Sequence, residues 1–526
     1  MELGTYKYTN IVAIVFCIYM VIMLFIGWYS SKKITGAADY IVAGRRLNLF
    51  FATGTLFATW FCAGTMMGGA ANAYLFGNQG VIFDPWGAAL CLLLTGLFFA
   101  RLMRRGGYMT LVDFFEIRYG REMGMLSTAV IVIAESGWVG AQLVAFGAIL
   151  QMFLGLPLWV GILVSCVVLV AYTYMGGMWS VTLTDVVQMI ILSAGLLILL
   201  PAVISHVGGW SNFIANASNW AELPAFAMGP AGESGYLGYI GLPGWFYYAG
   251  AWLAIGLGSI PAQDLMQRVL SSKDEKTAVR ASYLAALLYV TIGMIPVIAG
   301  IAMFELMPEL GVPDTEMILP WLAINFLPPI LTAIFVAGLV AALMSSSDSA
   351  LLAASAVIGY NGLRYFKPDA SEKDTLRLTR MMVPVVAIAS LLLALYAETI
   401  YRLMVIAWSV ILVGLVAPYV GGYFWKKSNK PGALAAMAGG FLSWIAFIFY
   451  YLPATSEANV GIIEEGVVYT EWAIWDAVYI GSVPAFIVSI IMLVVVSLLT
   501  QKSSPPMPLK DMDGNVMPVK NWFGGI

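Results

Sequence analysis

Long apolar runs, broken by short clusters of Gly, Pro and charged residues, dominate the chain. A run of about 20 apolar residues matches a helix that crosses the hydrocarbon core of a bilayer. The runs predict helices over 10–29, 48–76, 79–101, 122–154, 157–175, 180–204, 239–267, 277–306, 325–361, 376–397, 400–424, 432–453 and 475–500. Thirteen spans would leave the two ends of the chain on opposite sides of the membrane.

Composition supports lipid as the main solvent. Of 526 residues, 61% are hydrophobic and 10% charged, against about 25% charged in a soluble domain. Mean hydropathy is +0.87. A disordered chain would need far more charge. We therefore expect an all-α polytopic membrane protein, with residues 1–500 as a single transmembrane domain in the lipid bilayer. Residues 501–526, with Pro505, Pro506, Pro508 and Pro518, read as a disordered cytoplasmic tail. The N-terminus lacks a basic region and a cleavage site, so the first span reads as a retained helix.

Charge placement supplies orientation. Alternate loops, with the tail, hold 24 of the 26 Lys and Arg residues, Arg268 counted among them. By the positive-inside rule that side is cytoplasmic, the N-terminus lies outside and the C-terminus inside a plasma (inner) membrane. Catalytic chemistry has little to work with. There is one histidine, His206, and the four cysteines all lie in apolar runs. Phosphate-loop, zinc-peptidase and serine-hydrolase motifs are absent. An enzyme and a nucleic-acid partner are both unexpected.

Four features carry candidate chemistry. Gly64, Gly68 and Gly69 interrupt one predicted helix, and Gly256, Gly258 and Pro261 another. These helices open two five-span blocks, 48–204 and 239–424, and an odd span number makes the blocks inverted. Paired interruptions in inverted halves point to a solute site at the midplane; close helix packing at Gly64-x-x-x-Gly68 is the alternative. Asp185 and Asp348, and less deeply Glu135 and Asp264, place carboxylates in lipid-depth segments. With no arginine expected at that depth, a bound cation is the natural countercharge, and a protonated, helix-packing Asp the alternative. Ala342, Ser345 and Ser346 share one helix face. Their oxygens suit a hard monovalent cation, whereas divalent ions want more carboxylates. Trp60, Trp138, Trp252 and Trp408 could pack a solute or a cationic head.

At these motifs the sequence resembles the sodium:solute symporter family, the sodium–glucose and sodium–proline cotransporter relatives. The resemblance runs over roughly residues 10–450. It rests on Ala58-Thr-Trp60-Phe61, Gly176-Gly177-Met-Trp-Ser-Val-Thr-Leu-Thr-Asp185, Gln267-Arg268-Val-Leu-Ser and Ala342-Leu-Met-Ser345-Ser346. Within the family it looks most like the high-affinity choline transporter branch, through Gly-Gly-Tyr-Met-Thr-Leu-Val-Asp113, Met317-Ile-Leu-Pro and Met344-Ser-Ser-Ser-Asp348-Ser. The resemblance implies a LeuT-like 5+5 inverted repeat with extra helices at both ends, and Na⁺-coupled import of a small organic solute by alternating access. It implies a main Na⁺ site at the carbonyls of Ala58, Phe61 and Ala342 and the hydroxyls of Ser345 and Ser346. A second Na⁺ site of some members maps to Asp185, Ser345, Asp348 and Ser349, with Asp348 standing where those members have Ser. Solute contacts map near Trp60, Thr65, Trp138, Gln142 and Gln263. Ala262 stands where the choline branch has Trp, so choline itself is not carried over. A solute-binding sensor and a proton-coupled carrier are the alternatives.

Overall fold

The computed structural model describes residues 9–218, 225–230, 235–307, 312–367, 369–396, 400–459, 463–464, 467–468 and 470–519. Apart from a two-residue ribbon pairing Ile463–Glu464 with Val467–Val468, the described elements are helical. The principal helices, in chain order, are α1 (Thr9–Ser31), α2 (Leu49–Trp60), α3 (64–76), α4 (82–106), α5 (Leu111–Tyr119), α6 (Arg121–Leu154) and α7 (Leu158–His206). Then follow α8 (Gly241–Gly256), α9 (Gln263–Ser271), α10 (Glu275–Leu306), α11 (Pro329–Phe366), α12 (Glu372–Tyr396), α13 (400–424), α14 (Lys430–Asn459) and α15 (Thr470–Leu499).

Local chemistry sets several boundaries. The Asn48 side chain caps α2 by accepting the Phe51 N–H at 3.1 Å, and Asp274 caps α10 through the Thr277 N–H at 2.7 Å. Thr110 and Asp113 form a reciprocal capping box on α5, and Pro329 opens α11, where a missing N–H costs nothing. Both helices expected to be interrupted are broken, but the first breaks just before Gly64, Gly68 and Gly69, which lie within α3. The first chain break separates α2 from α3 at residues 61–63, with Phe61 at φ −76°, ψ 81°. The second lies at 257–262, between α8 and α9. There a Cβ on Gly258 would come within 2.1 Å of the Ala254 carbonyl oxygen and 3.0 Å of that of Trp408.

Among the described residues, ten helices are long and apolar enough to cross a membrane. The predicted count of thirteen is not confirmed, for two reasons. Predicted spans 157–175 and 180–204 run together in α7, whose 49 residues would extend about 73 Å if straight. Helical geometry fails within it at Gly177, φ 48° and ψ −141°, where a Cβ would meet Tyr40. The pieces flanking each chain break are also individually short.

The centre is built from α2, α6, α7, α9, α11 and α13. From Ala333 to Ala356 every residue of α11 but Ile334 is buried, as expected of a helix without a solvated face. Lipid-facing helices instead expose apolar side chains such as Ile14 and Val21 on α1, Leu392 on α12, and Leu442 and Phe449 on α14. Residues 501–519, expected as disordered tail, instead lie back across the loop end of α4 and α5. Arg118 donates to the Met507 carbonyl at 2.6 Å, Tyr108 to that of Lys510 at 2.7 Å, and the Met512 N–H to Gly106 at 3.0 Å. Polar groups near the loop end thus hold a proline-rich strand that has no periodicity of its own.

Candidate functional site

The first break exposes backbone groups that α2 and α3 cannot satisfy within themselves. Its Ala63 N–H is taken by the Gln142 Oε1 of α6 at 3.0 Å. On the other side α11 presents its serines. The Ser345 hydroxyl lies 2.7 Å from the Ala58 carbonyl oxygen and 2.9 Å from that of Ala342, while Ser346 Oγ is 3.2 Å from the Ala342 oxygen. Four of the five residues expected around one cation are therefore joined by hydrogen bonds. Phe61 follows Ala58 at the break, buried, with its ring against Phe57 and Tyr289.

One helical turn away sit the two aspartates. Asp185 accepts the Thr55 hydroxyl through Oδ2, and its Oδ1 has no hydrogen-bond partner among the described residues. Asp348 faces Thr184 at 3.5 Å and Ser349 at 3.3 Å, with the Tyr172 hydroxyl near by. Arg268 lies among them, which corrects its placement in a cytoplasmic loop and the expectation of no arginine at this depth. It is fully buried on α9 and donates to the Thr59 hydroxyl at 2.9 Å, to the Asp264 carbonyl at 2.8 Å and to the Ser349 hydroxyl. Thr59 and Ser349 also touch one another at 3.0 Å. Ser349 is thereby tied to the guanidinium, unlike Ser345.

The expected solute contacts divide. Trp60 and Trp138 gather around Trp408, with ring centroids 6.1 and 4.8 Å from it. Trp252 is not among the aromatic contacts of this cluster and is only partly buried. Gln142 lies beside the cluster at the first break, its Nε2 unpartnered. Gln263 turns to α5, accepting the Leu111 N–H at 2.7 Å through Oε1. Thr65 donates to Asp84 at 2.6 Å and meets the Tyr289 hydroxyl at 3.3 Å. Asp84 borders a small hollow lined by Gly64, Gly68, Asn72, Gly80 and Phe83. The reading of the sequence passed over Asp84, although an Asp-Pro pair inside an apolar run was the available signal.

Below Gln263 the α5 loop is fastened to the end of α11. Asn361 donates to Asp113 Oδ1 at 2.8 Å and accepts the Thr110 hydroxyl at 2.6 Å. Burial pushes the Asp113 carboxyl above its usual range, against the opposing N–H groups of Met109 and Thr110 and the charge of Arg364.

The chain is similar to known transporters in sequence and in fold. High-affinity choline transporter 1 of Caenorhabditis elegans is 30% identical over 464 residues, 82% of this chain and 77% of its own. The osmoregulated proline transporter OpuE of Bacillus subtilis (strain 168) is 26% identical over 499 residues, 92% and 94% of the two chains. The solved outward-open, substrate-bound state of a Na⁺-coupled sialic acid symporter superposes with a TM-score of 0.70 at 22% identity, covering 93% of this chain and 98% of that one. That likeness shows the fold, which is LeuT-like. Residues 40–440 match the sodium:solute symporter family, so the chain belongs to that family and works as a Na⁺-coupled solute symporter.

Proposed function

We propose that this protein imports a small organic solute by alternating access, with Na⁺ held where α2 breaks against α11. The observation that carries this reading is the Ser345 hydroxyl, which bridges the Ala58 and Ala342 carbonyls at 2.7 and 2.9 Å. With Ser346 and the Phe61 carbonyl these form a set of neutral oxygens around a junction of two helices. An ion there ties α2 to α11, so it favours whichever state brings them together. Na⁺ and solute then strengthen each other's binding reciprocally. A second Na⁺ position at Asp185, Ser345 and Asp348 rests on the two carboxylates, because the Arg268 guanidinium already engages Ser349. The cytoplasmic face is the basic one, with the N-terminus outside, and thirteen spans remain our reading of the topology.

The test is a melting curve of the purified full chain as K⁺ is replaced by Na⁺ at constant ionic strength. An ion that binds only the folded state stabilises it by about 2.7 kcal/mol at 100 times its Kd. A saturable rise in melting temperature with Na⁺ is expected. A curve indifferent to Na⁺ but shifting between pH 5 and 8 would favour a proton-coupled carrier.

A further inference from the structure

The Na⁺ locus leaves unexplained a group of acids on the other side of the indole cluster. Glu135 of α6 and Asp264, second residue of α9, are both buried, with 1% and 0% exposure. They meet through the Asp264 N–H, which donates to Glu135 Oε1 at 3.1 Å, while Asp264 Oδ1 accepts the Leu265 N–H at 2.6 Å. The other two oxygens, Glu135 Oε2 and Asp264 Oδ2, have no hydrogen-bond partner among the described residues. Two carboxyls side by side in a dry core, each with an unused acceptor, must share a proton or meet a cationic donor. The N-terminus of α9 supplies part of a charge to Asp264, not enough for both.

Arg268 is the obvious candidate, and the geometry turns it away. Its donors go to the Asp264 backbone carbonyl, to Thr59 and to Ser349. Among the described residues no ion pair joins it to any carboxylate. Around the two breaks five carboxylates, Asp84, Glu135, Asp185, Asp264 and Asp348, are buried with this one guanidinium.

The indoles complete the picture. Trp138 lies three residues after Glu135 on α6, hence on the same face. The Trp60 indole N–H is turned towards the Asp264 carboxyl, short of full hydrogen-bond geometry. A cation seated at the acids would lie beside the rings of Trp60, Trp138 and Trp408, whose faces attract positive charge. We infer that the transported solute is a small organic cation carrying hydrogen on its nitrogen, a protonated amine or amidine, with those hydrogens donated to Glu135 Oε2 and Asp264 Oδ2. A quaternary ammonium has no hydrogen to give these acceptors, and an anionic solute would meet like charge. This inference rests on the reading that the space between the breaks holds the solute.

The experiment is thermal stabilisation of the purified full chain in Na⁺, with ethanolamine, dimethylethanolamine and choline as probes that differ in nitrogen-bound hydrogens. Putrescine and guanidine extend the cationic set; proline, pantothenate and glucose are the other charge classes. Stabilisation by amines that falls from ethanolamine to choline is expected. Asp264→Asn should raise the half-saturating amine concentration at least tenfold and leave the shift caused by Na⁺ alone in place. Glu135→Gln gives the same readout should the first variant fail to fold. The proposal is overturned if no amine stabilises, if proline, pantothenate or glucose stabilises more than the amines, or if both variants keep wild-type amine binding. Absence of a Na⁺ shift would count against the coupling site alone, since the ranking of amines can be repeated in K⁺.

Discussion

The two chain breaks do the same thing to the backbone and are finished with opposite chemistry. At the first, the loose groups meet neutral partners: the Gln142 amide takes the Ala63 N–H, and serine hydroxyls meet the carbonyls of Ala58 and Ala342. At the second, the helix that restarts carries Asp264 and Arg268, both fully buried, one reaching α6 and the other α2 and α11. A transported ion must bind well enough to enter and weakly enough to leave, which a cage of neutral oxygens allows. Fixed charges in a dry core are instead costly to strand, and so act as posts. On the proposed reading, the neutral oxygens of the first break suit an ion that must leave again, while Arg268 at the second fixes α9 to α2 and α11.

The sharpest way to break this contrast is Arg268→Met. It strips Thr59, Ser349 and the Asp264 carbonyl of their donor. Each buried polar group left unsatisfied costs about 1–3 kcal/mol. A large fall in melting temperature is expected, larger than for any single change at the first break. If Arg268→Met melts like the wild type, the guanidinium is not a post.

Next in size is Gln142→Leu. The substitution keeps the volume roughly constant and leaves the Ala63 N–H buried without an acceptor, which costs about 1–3 kcal/mol. Melting temperature should fall by less than for Arg268→Met, and amide exchange at Ala63, followed by hydrogen–deuterium exchange of the 61–69 peptide, should accelerate. Unchanged exchange would mean that the N–H finds another partner.

Much of this arrangement could be read from the chain, and the failures have physical reasons. The second break was legible because Gly258 and Pro261 fall within it, the first only approximately, since Gly64, Gly68 and Gly69 follow it inside α3; the Ala342, Ser345, Ser346 face was legible because helical spacing puts those oxygens together. Arg268 was not. It follows the second break in a short polar helix and precedes Lys273 and Lys276, so it reads as the start of a basic loop. What buries it are hydroxyls 209 and 81 residues away in sequence. Residues 501–519 failed likewise: prolines predict no helix, and nothing local reveals that Arg118 and Tyr108 wait for their carbonyls.

The smallest effect separates two neighbouring serines. Ser345 reaches across to α2 through the Ala58 carbonyl, whereas Ser346 Oγ has only the Ala342 carbonyl of its own helix as a hydrogen-bond partner, at 3.2 Å. If Na⁺ ties the two helices, its cross-helix ligand set loses more with Ser345→Ala than with Ser346→Ala. A lost hydroxyl ligand worth about 1.4 kcal/mol raises the half-saturating Na⁺ concentration tenfold, and that is the expectation for Ser345→Ala in the Na⁺ melting titration. Ser346→Ala should move it severalfold at most. Ser345→Ala also loses the hydrogen bond to the Ala58 carbonyl, so its stability in K⁺ should fall further than that of Ser346→Ala. The half-saturating Na⁺ concentration of each variant, read against its own melting temperature in K⁺, therefore reports the ion. Equal shifts in Na⁺ would mean that the ion, if it sits on α11, does not draw on α2, and the first break would lose its claim to be the releasing one.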